Sequence, residues 1–458
     1  MSLRAEDWGF DTAADGALRI GGARAEDLAR EHGTPLHVVD AAGVRRRAVS
    51  FRRAFEAAWP GEMSVHYAMK CNSTPGLAAM VLAAGLRPEA GTPFEWQLAR
   101  RMGAAPEDIV VNGPRKGALL RTAVEEGAGL VVADGPGELE QLERAADAAG
   151  RAVRVLLRVN PNCVPRGMNR ASATGSRTHS VFGFDRVSRE VPAALARMKS
   201  MPHLRFEGFH CHAGTGIRHA GDYVKPMRVL AACAAQAAAA GMSVQVLDVG
   251  GGFGVPTSRE FDTGEFLAYQ ALGRLPKPPR PAEFPGPEDF AAAISGTLRG
   301  ELGRLGVPLP RLVVEPGRSI VSGAGVLLLT VGALKHRAGV GTWALTDGGT
   351  GTVAFPLYYE YHEVLLCRAP HAARTERYSL VGPACFSADW IYRNKRMPPL
   401  QAGDVLAVCD AGAYFLAQES NFGFPRPAVV AVEEGRARLL RRRETFEDMV
   451  ARDAGWEN

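Results

Sequence analysis

Val65-His66-Tyr67-Ala68-Met69-Lys70-Cys71-Asn72 is an apolar run of strand character that ends in a single lysine and then turns polar. A lysine at the end of a buried strand loses hydration, which disfavours its ammonium form and lowers its pKa toward a nucleophilic amine. Such an amine can hold an aldehyde cofactor as a Schiff base. The same eight residues also suit a lysine that merely snorkels from a strand end, so the surrounding chain has to decide.

Outward from this stretch a rhythm begins. Strand-like runs at 63–70, 86–91, 108–113, 129–134, 154–160, 204–212, 243–250 and 311–315 alternate with Ala/Leu/Arg/Glu-rich segments of helical composition. Eight such repeats are the count of a (β/α)8, or TIM, barrel. The second run is the weakest, because Arg87-Pro88-Glu89 interrupts it. Beyond about residue 320 the helical segments give way to Val326 to Val331, Trp343 to Thr346, Tyr378 to Val381, Val405 to Cys409 and Ala428 to Val432, punctuated by Gly and Pro. These runs predict an antiparallel β-barrel or sandwich domain, which the N-terminal run Leu36-His37-Val38-Val39 can join. The expected α/β architecture is a barrel over 40–320 and a β domain built from 1–39 and 321–458, in keeping with a chain of 458 residues. Stretches 162–178 and 255–287 exceed an ordinary βα loop and are expected at the C-terminal barrel face, where active sites sit.

Hydrophobic residues at 46% and charged residues at 22% exclude a disordered or collagen-like chain. The charge of +5 is spread out apart from the run Arg436 to Arg443, which reads as a solvated face rather than a nucleic-acid site. Seven scattered cysteines without CxxC spacing suggest neither a disulfide framework nor a zinc site. With no apolar leader and no apolar run of about 18 residues, a cytoplasmic protein without a membrane partner is expected.

Three motifs close barrel strands. Strand seven ends in Asp248-Val249-Gly250-Gly251-Gly252-Phe253, where glycines let backbone N–H groups approach an anion; phosphate is the anion barrels often hold there, and a flexible turn is the other reading. Strand eight ends in Val314-Glu315-Pro316-Gly317-Arg318. A carboxylate facing a pyridine nitrogen favours its protonated form, and an arginine can pair with phosphate or carboxylate, although alone the two would close a surface turn. Strand six ends in Gly208-Phe209-His210-Cys211-His212-Ala213-Gly214-Thr215-Gly216, offering imidazoles that could stack on a cofactor ring or simply pack in the core. No further His/Cys cluster at recognisable spacing supplies the third and fourth ligands of a metal site, so no metal is expected.

In this order, Tyr67-Ala68-Met69-Lys70-Cys71-Asn72, His210-Cys211-His212-Ala213-Gly214-Thr215, Gly250-Gly251-Gly252-Phe253, Glu315-Pro316-Gly317-Arg318, Gly382-Pro383-Ala384-Cys385 and Gly412-Ala413-Tyr414 resemble the fold type III, alanine-racemase-fold amino-acid decarboxylases, such as the diaminopimelate and ornithine enzymes. The resemblance covers about residues 35–435. It implies pyridoxal 5'-phosphate, held covalently by Lys70, stacked on by His212 and paired at its ring nitrogen with Glu315, with Arg158 nearby. Thr215, Gly250, Gly251, Gly252, Gly317, Arg318 and Tyr414 would surround the cofactor, mostly at its phosphate. Cys385 would reach the site from the other subunit of a homodimer as proton donor, with Tyr358, Arg318, Phe386, Ala354 and Asp389 near the substrate.

Departures from the family pattern concern the substrate. Where the diaminopimelate enzymes show Cys-Glu-Ser, this chain has Cys385-Phe386-Ser387; Ala354 stands where they carry an arginine, and Glu89 stands where an aspartate is usual. The resulting expectation is α-decarboxylation of a non-standard or modified amino acid, free or carrier-linked, without a recognised distal ammonium. The alternatives are a meso-diaminopimelate decarboxylase, an amino-acid racemase or epimerase, and a non-catalytic binding homologue. Glu315 weighs against a racemase, since racemases of this fold place an arginine against the ring nitrogen.

Overall fold

The computed structural model describes residues 3–168, 172–353 and 356–455, and the chain divides into two compact units. One comprises Arg47–Gly254 and Phe284–Ser319. Its barrel strands are β1 (Met63–Ala68), β2 (Arg87–Ala90), β3 (Val110–Val111), β4 (Leu130–Ala133), β5 (Val153–Asn160), β6 (Leu204–His210), β7 (Val246–Asp248) and β8 (Arg311–Val314), and the short strand Phe184–Asp185 pairs with the C-terminal end of β5. The barrel strands pair in sequence order, all parallel, and β8 returns to β1 with Val314 opposite Val65, closing an eight-stranded barrel. Val110, Leu130, Val132, Leu156, Val246 and Val313 pack into one buried cluster, as near-continuous apolar runs do when a parallel sheet is covered on both faces. Pro88 does not break β2: Glu89 still pairs with Ala68 on one side and Val110 on the other, so the proline removes a donor without ending the ladder.

The other unit comprises Met1–Arg46, Val255–Glu283 and Ile320–Asn458. Its long strand Gly325–Arg337 pairs antiparallel with Leu36–Asp40, Val405–Cys409 and Gly341–Thr346. The expectation of a purely antiparallel domain is corrected by two parallel pairings, Gly341–Thr346 with Glu376–Val381 and Leu36–Asp40 with Ala428–Glu433. Both join segments far apart in sequence, where no hairpin imposes direction. The basic run forms strand Arg436–Arg441, bonded to Ala428–Glu433 at the end of the sheet order, where charge blunts an edge.

The expected division of the chain shifts at two places. The boundary falls inside the helix Ala41–Ala58, and Val255–Glu283 joins the β unit rather than forming a loop over the barrel. Arg259–Glu260 pairs with Glu360–Tyr361, and Phe261 and Tyr269 enter the β-unit core. No helix among the described residues is long and apolar enough to cross a membrane.

Candidate active site

Lys70 lies in a short 3-10 turn, Met69–Cys71, directly after β1. Its side chain is 52% exposed and its Nζ donates to Glu89 Oε2 at 3.1 Å. The expected desolvation of this lysine is therefore corrected: the strand is buried, but the turn carries the side chain out of it. What fixes the amine is Glu89, itself buried and pushed up to about 7, chiefly by that burial and against the pull of Lys70. Below the turn, the Tyr67 hydroxyl donates to the Asn72 carbonyl, and the Ala68 N–H donates to the Pro316 carbonyl. Gly317 completes the contact, since a Cβ there would stand 3.0 Å from that of Cys71 and 3.3 Å from that of Ala68.

Glu315 sits at the end of β8, buried among polar groups. Asn112 Nδ2 donates to both carboxylate oxygens at 3.3 and 3.2 Å, and His210 Nε2 lies 3.4 Å from Oε2. Burial alone would raise this carboxyl, but His210 and then Lys70 outweigh it and hold it well below the usual range. Arg158, at the end of β5, is paired with Asp134 at 3.4 Å and lies over the Phe182 ring at 4.1 Å.

The glycine turn after β7 permits close packing that no other residue allows. A Cβ on Gly251 would fall 2.1 Å from the Glu315 carbonyl oxygen, and one on Gly252 2.1 Å from that of Gly214. Phe253 anchors the turn's end among Phe51, Phe55, Tyr223 and Phe290, with ring centroids 4.9 to 5.8 Å away. The Gly251 N–H donates to His212 Nδ1 at 3.1 Å, so the neutral ring carries its proton on Nε2. Burial, with Arg158 and Lys70, keeps His212 neutral by lowering its pKa far below the ordinary value. The barrel unit thus gathers Lys70, Arg158, His212, the three glycines, Glu315, Gly317 and Arg318 on the segments that follow its strands, with Thr215 in the loop after β6.

Cys385, Phe386, Asp389, Tyr358 and Tyr414 belong to the β unit. Cys385 is exposed, Phe386 is 47% exposed, and its ring meets that of Phe422, 57% exposed, at 5.7 Å. Tyr358 is exposed beside Phe266, and Tyr414 takes a left-handed φ of 66°. Asp389 does not present a free carboxylate: it is buried and accepts from the Ala384 and Thr350 N–H groups. Glu360 and Glu363 are equally engaged, the first with His362 at 3.1 Å, the second with Arg374 at 2.7 Å and Lys395 at 2.8 Å. Ala354 lies outside the described residues.

Asn112 joins the candidate site through its bonds to Glu315, although no sequence motif contains it. Its signal was positional, a polar residue just past the apolar pair Val110-Val111 at the end of a barrel strand.

A family model described as "Pyridoxal-dependent decarboxylase, pyridoxal binding domain" matches residues 41–322. The chain is 35% identical to the diaminopimelate decarboxylase of Actinosynnema pretiosum subsp. auranticum over 97% of this chain and 95% of that one. It is 31% identical to the diaminopimelate decarboxylase of Bacillus subtilis over 96% and 95%. Among solved structures, M. jannaschii diaminopimelate decarboxylase in co-complex with L-lysine aligns with a TM-score of 0.84 at 26% identity, covering 97% and 98% of the two chains.

Proposed function

Because this chain belongs to the pyridoxal-dependent decarboxylases and uses pyridoxal 5'-phosphate in amino-acid decarboxylation, we propose that Lys70 is the lysine that holds the cofactor and that the barrel residues around it run the reaction. The donor set suits the group: an accessible amine for an aldehyde, a neutral imidazole for a ring face, and an ionised carboxylate for a ring nitrogen. Once bound, the cofactor supplies an electron sink for the pair released when the Cα–carboxylate bond breaks. Glu315 strengthens that sink by favouring a proton on the ring nitrogen. By the family resemblance His212 would stack on the ring, Arg158 would lie beside it, and Gly250, Gly251, Gly252, Thr215, Arg318 and Tyr414 would hold the phosphate. Cys385, from the other subunit, would return a proton to Cα. The Glu315 carboxylate, bonded by Asn112 and backed by His210, is the observation that carries α-decarboxylation over racemisation.

The working assembly is a homodimer with shared active sites. Co-refolding inactive Lys70→Ala with inactive Cys385→Ala should restore part of the activity through hybrid dimers; complete failure to complement contradicts sharing.

The substrate that the named relatives support is meso-diaminopimelate, which gives this alternative more weight than the non-standard amino acid expected from the sequence. One observation favours that second reading, an amino acid with an apolar or carrier-linked side chain. Beside Cys385 the chain presents the Phe386–Phe422 pair, while Asp389, Glu360 and Glu363 are buried and bonded elsewhere. An ammonium brought in without a carboxylate partner costs on the order of 3–5 kcal/mol; a cation–π contact returns about 0.5–2 kcal/mol. Steady-state CO2 release decides between the two. A kcat/KM of about 10⁴ M⁻¹s⁻¹ or more on meso-diaminopimelate establishes the first reading, and far lower values with turnover of apolar amino acids establish the second.

A further inference from the structure

Behind Glu315 lies a second buried carboxyl group with no role assigned to it so far. Asp248 ends β7, is fully buried, and lies with His210 and Glu315 in a cluster whose nearest side-chain N and O atoms are within 4.8 Å of one another. Two carboxylates so placed in a dry site do not both ionise, and the one with the better donors keeps the charge. Glu315 has both Asn112 contacts and the His210 ring. Asp248 Oδ1 accepts from the Gly250 N–H at 2.8 Å, and among the described residues its Oδ2 meets no hydrogen-bond donor, the interaction left to this carboxyl being with the Glu315 carboxylate itself.

We propose that Asp248 is held as the neutral carboxylic acid and is the positioning residue of Glu315, its proton confining the single negative charge of the pair to Glu315 while its other oxygen ties down the glycine turn. Burial and then Glu315 push the Asp248 carboxyl well above the usual carboxylate range, with Glu89 adding to the effect and the Gly250 N–H opposing it. One group thus links the two halves of the candidate cofactor site. Oδ1 sets the backbone of Gly250, and the acid proton lets a carboxylate sit beside a second carboxyl group without mutual repulsion. The inference rests on Glu315 as the proposed partner of the ring nitrogen, but the protonation state can be read without turnover.

The test is infrared difference spectroscopy of the holoenzyme at pH 8 with carboxyl-labelled aspartate. A protonated-carboxyl band that shifts with the aspartate label and disappears in Asp248→Asn, but survives in Glu89→Gln, is expected. Asp248→Asn, neutral and still able to accept from Gly250, should keep its pyridoxal 5'-phosphate Kd within about threefold and its kcat/KM within about tenfold. Asp248→Leu should weaken cofactor binding more than tenfold. Absence of the band in the wild-type protein overturns the proposal even if no variant folds. So does an Asp248→Asn loss in kcat/KM as deep as that of Glu315→Gln, or a stoichiometric divalent cation in the purified enzyme, which would put a metal charge where a proton is proposed. A band present without CO2 release from any amino acid would leave Asp248 neutral and contradict the proposed reaction instead.

Discussion

In the barrel, Glu315, Asn112, His210 and Asp248 are buried and bonded to one another or to the glycine turn, whereas in the β unit Cys385, Phe386 and Tyr358 stand exposed. The two groups answer differently to substitution. Removing one member of the barrel cluster orphans its buried partners at about 1–3 kcal/mol each, so that constellation resists change. A residue on an exposed turn changes at little folding cost. That contrast accounts for a barrel cluster that keeps the family's motifs beside a β-unit turn that departs from them, with Phe386 where the diaminopimelate enzymes carry glutamate.

The largest expected effect is at Lys70. Lys70→Ala should lower turnover by more than about 10³-fold, and borohydride reduction of the wild-type holoenzyme should fix the cofactor on a Lys70 peptide in mass spectrometry. A label on another lysine would contradict Lys70 as the cofactor lysine. Glu315→Gln should cost about 10²- to 10³-fold in kcat with the cofactor still bound, measured by steady-state kinetics beside cofactor absorbance. On the β side, Phe386→Glu sharpens the comparison. A gain of about 10- to 100-fold in kcat/KM on meso-diaminopimelate is expected if Phe386 reads an apolar side chain, and no gain if that substrate is already native.

The smallest effect concerns pH. Glu89 is raised from 4.5 to about 7 in the folded protein, so its native form binds the proton more tightly than the unfolded chain does. Its contribution to stability is full below about pH 4.5 and is lost as pH rises through about 7. Glu89→Gln should therefore match the wild type in unfolding free energy at pH 4 and exceed it by about 1–3 kcal/mol at pH 8, which thermal melts at the two pH values read as no Tm difference and a higher Tm. Equal Tm differences at both values would contradict a buried, proton-holding Glu89.

The barrel was legible because its strands are short apolar runs set between helical segments, and because chemistry-bearing residues follow strand ends. Several features were hidden. Trp390–Met397 forms a strand although Arg393, Asn394, Lys395 and Arg396 give it no apolar alternation; pairing with Glu376–Val381 overrides composition. The helix Thr263–Leu272 was masked by the surrounding Gly and Pro, yet Asp262 and Glu265 form a capping box that could have marked its start. At the site, Lys70 and Glu315 stood in motifs, but the Lys70–Glu89 pair and the Asn112–Glu315 bonds join residues 19 and 203 positions apart, which only the closed barrel brings together. The burial of Asp389 was equally invisible, since a carboxylate in a turn reads as exposed until its backbone donors are known.

Decarboxylation is tested most directly by incubating the holoenzyme with a panel of amino acids, meso-diaminopimelate and apolar side chains included, and measuring released CO2, product amine and stereochemical inversion together. One CO2 for each amine formed from at least one member of the panel is expected, with no inversion of recovered substrate. Inversion without CO2 would contradict Glu315-backed decarboxylation.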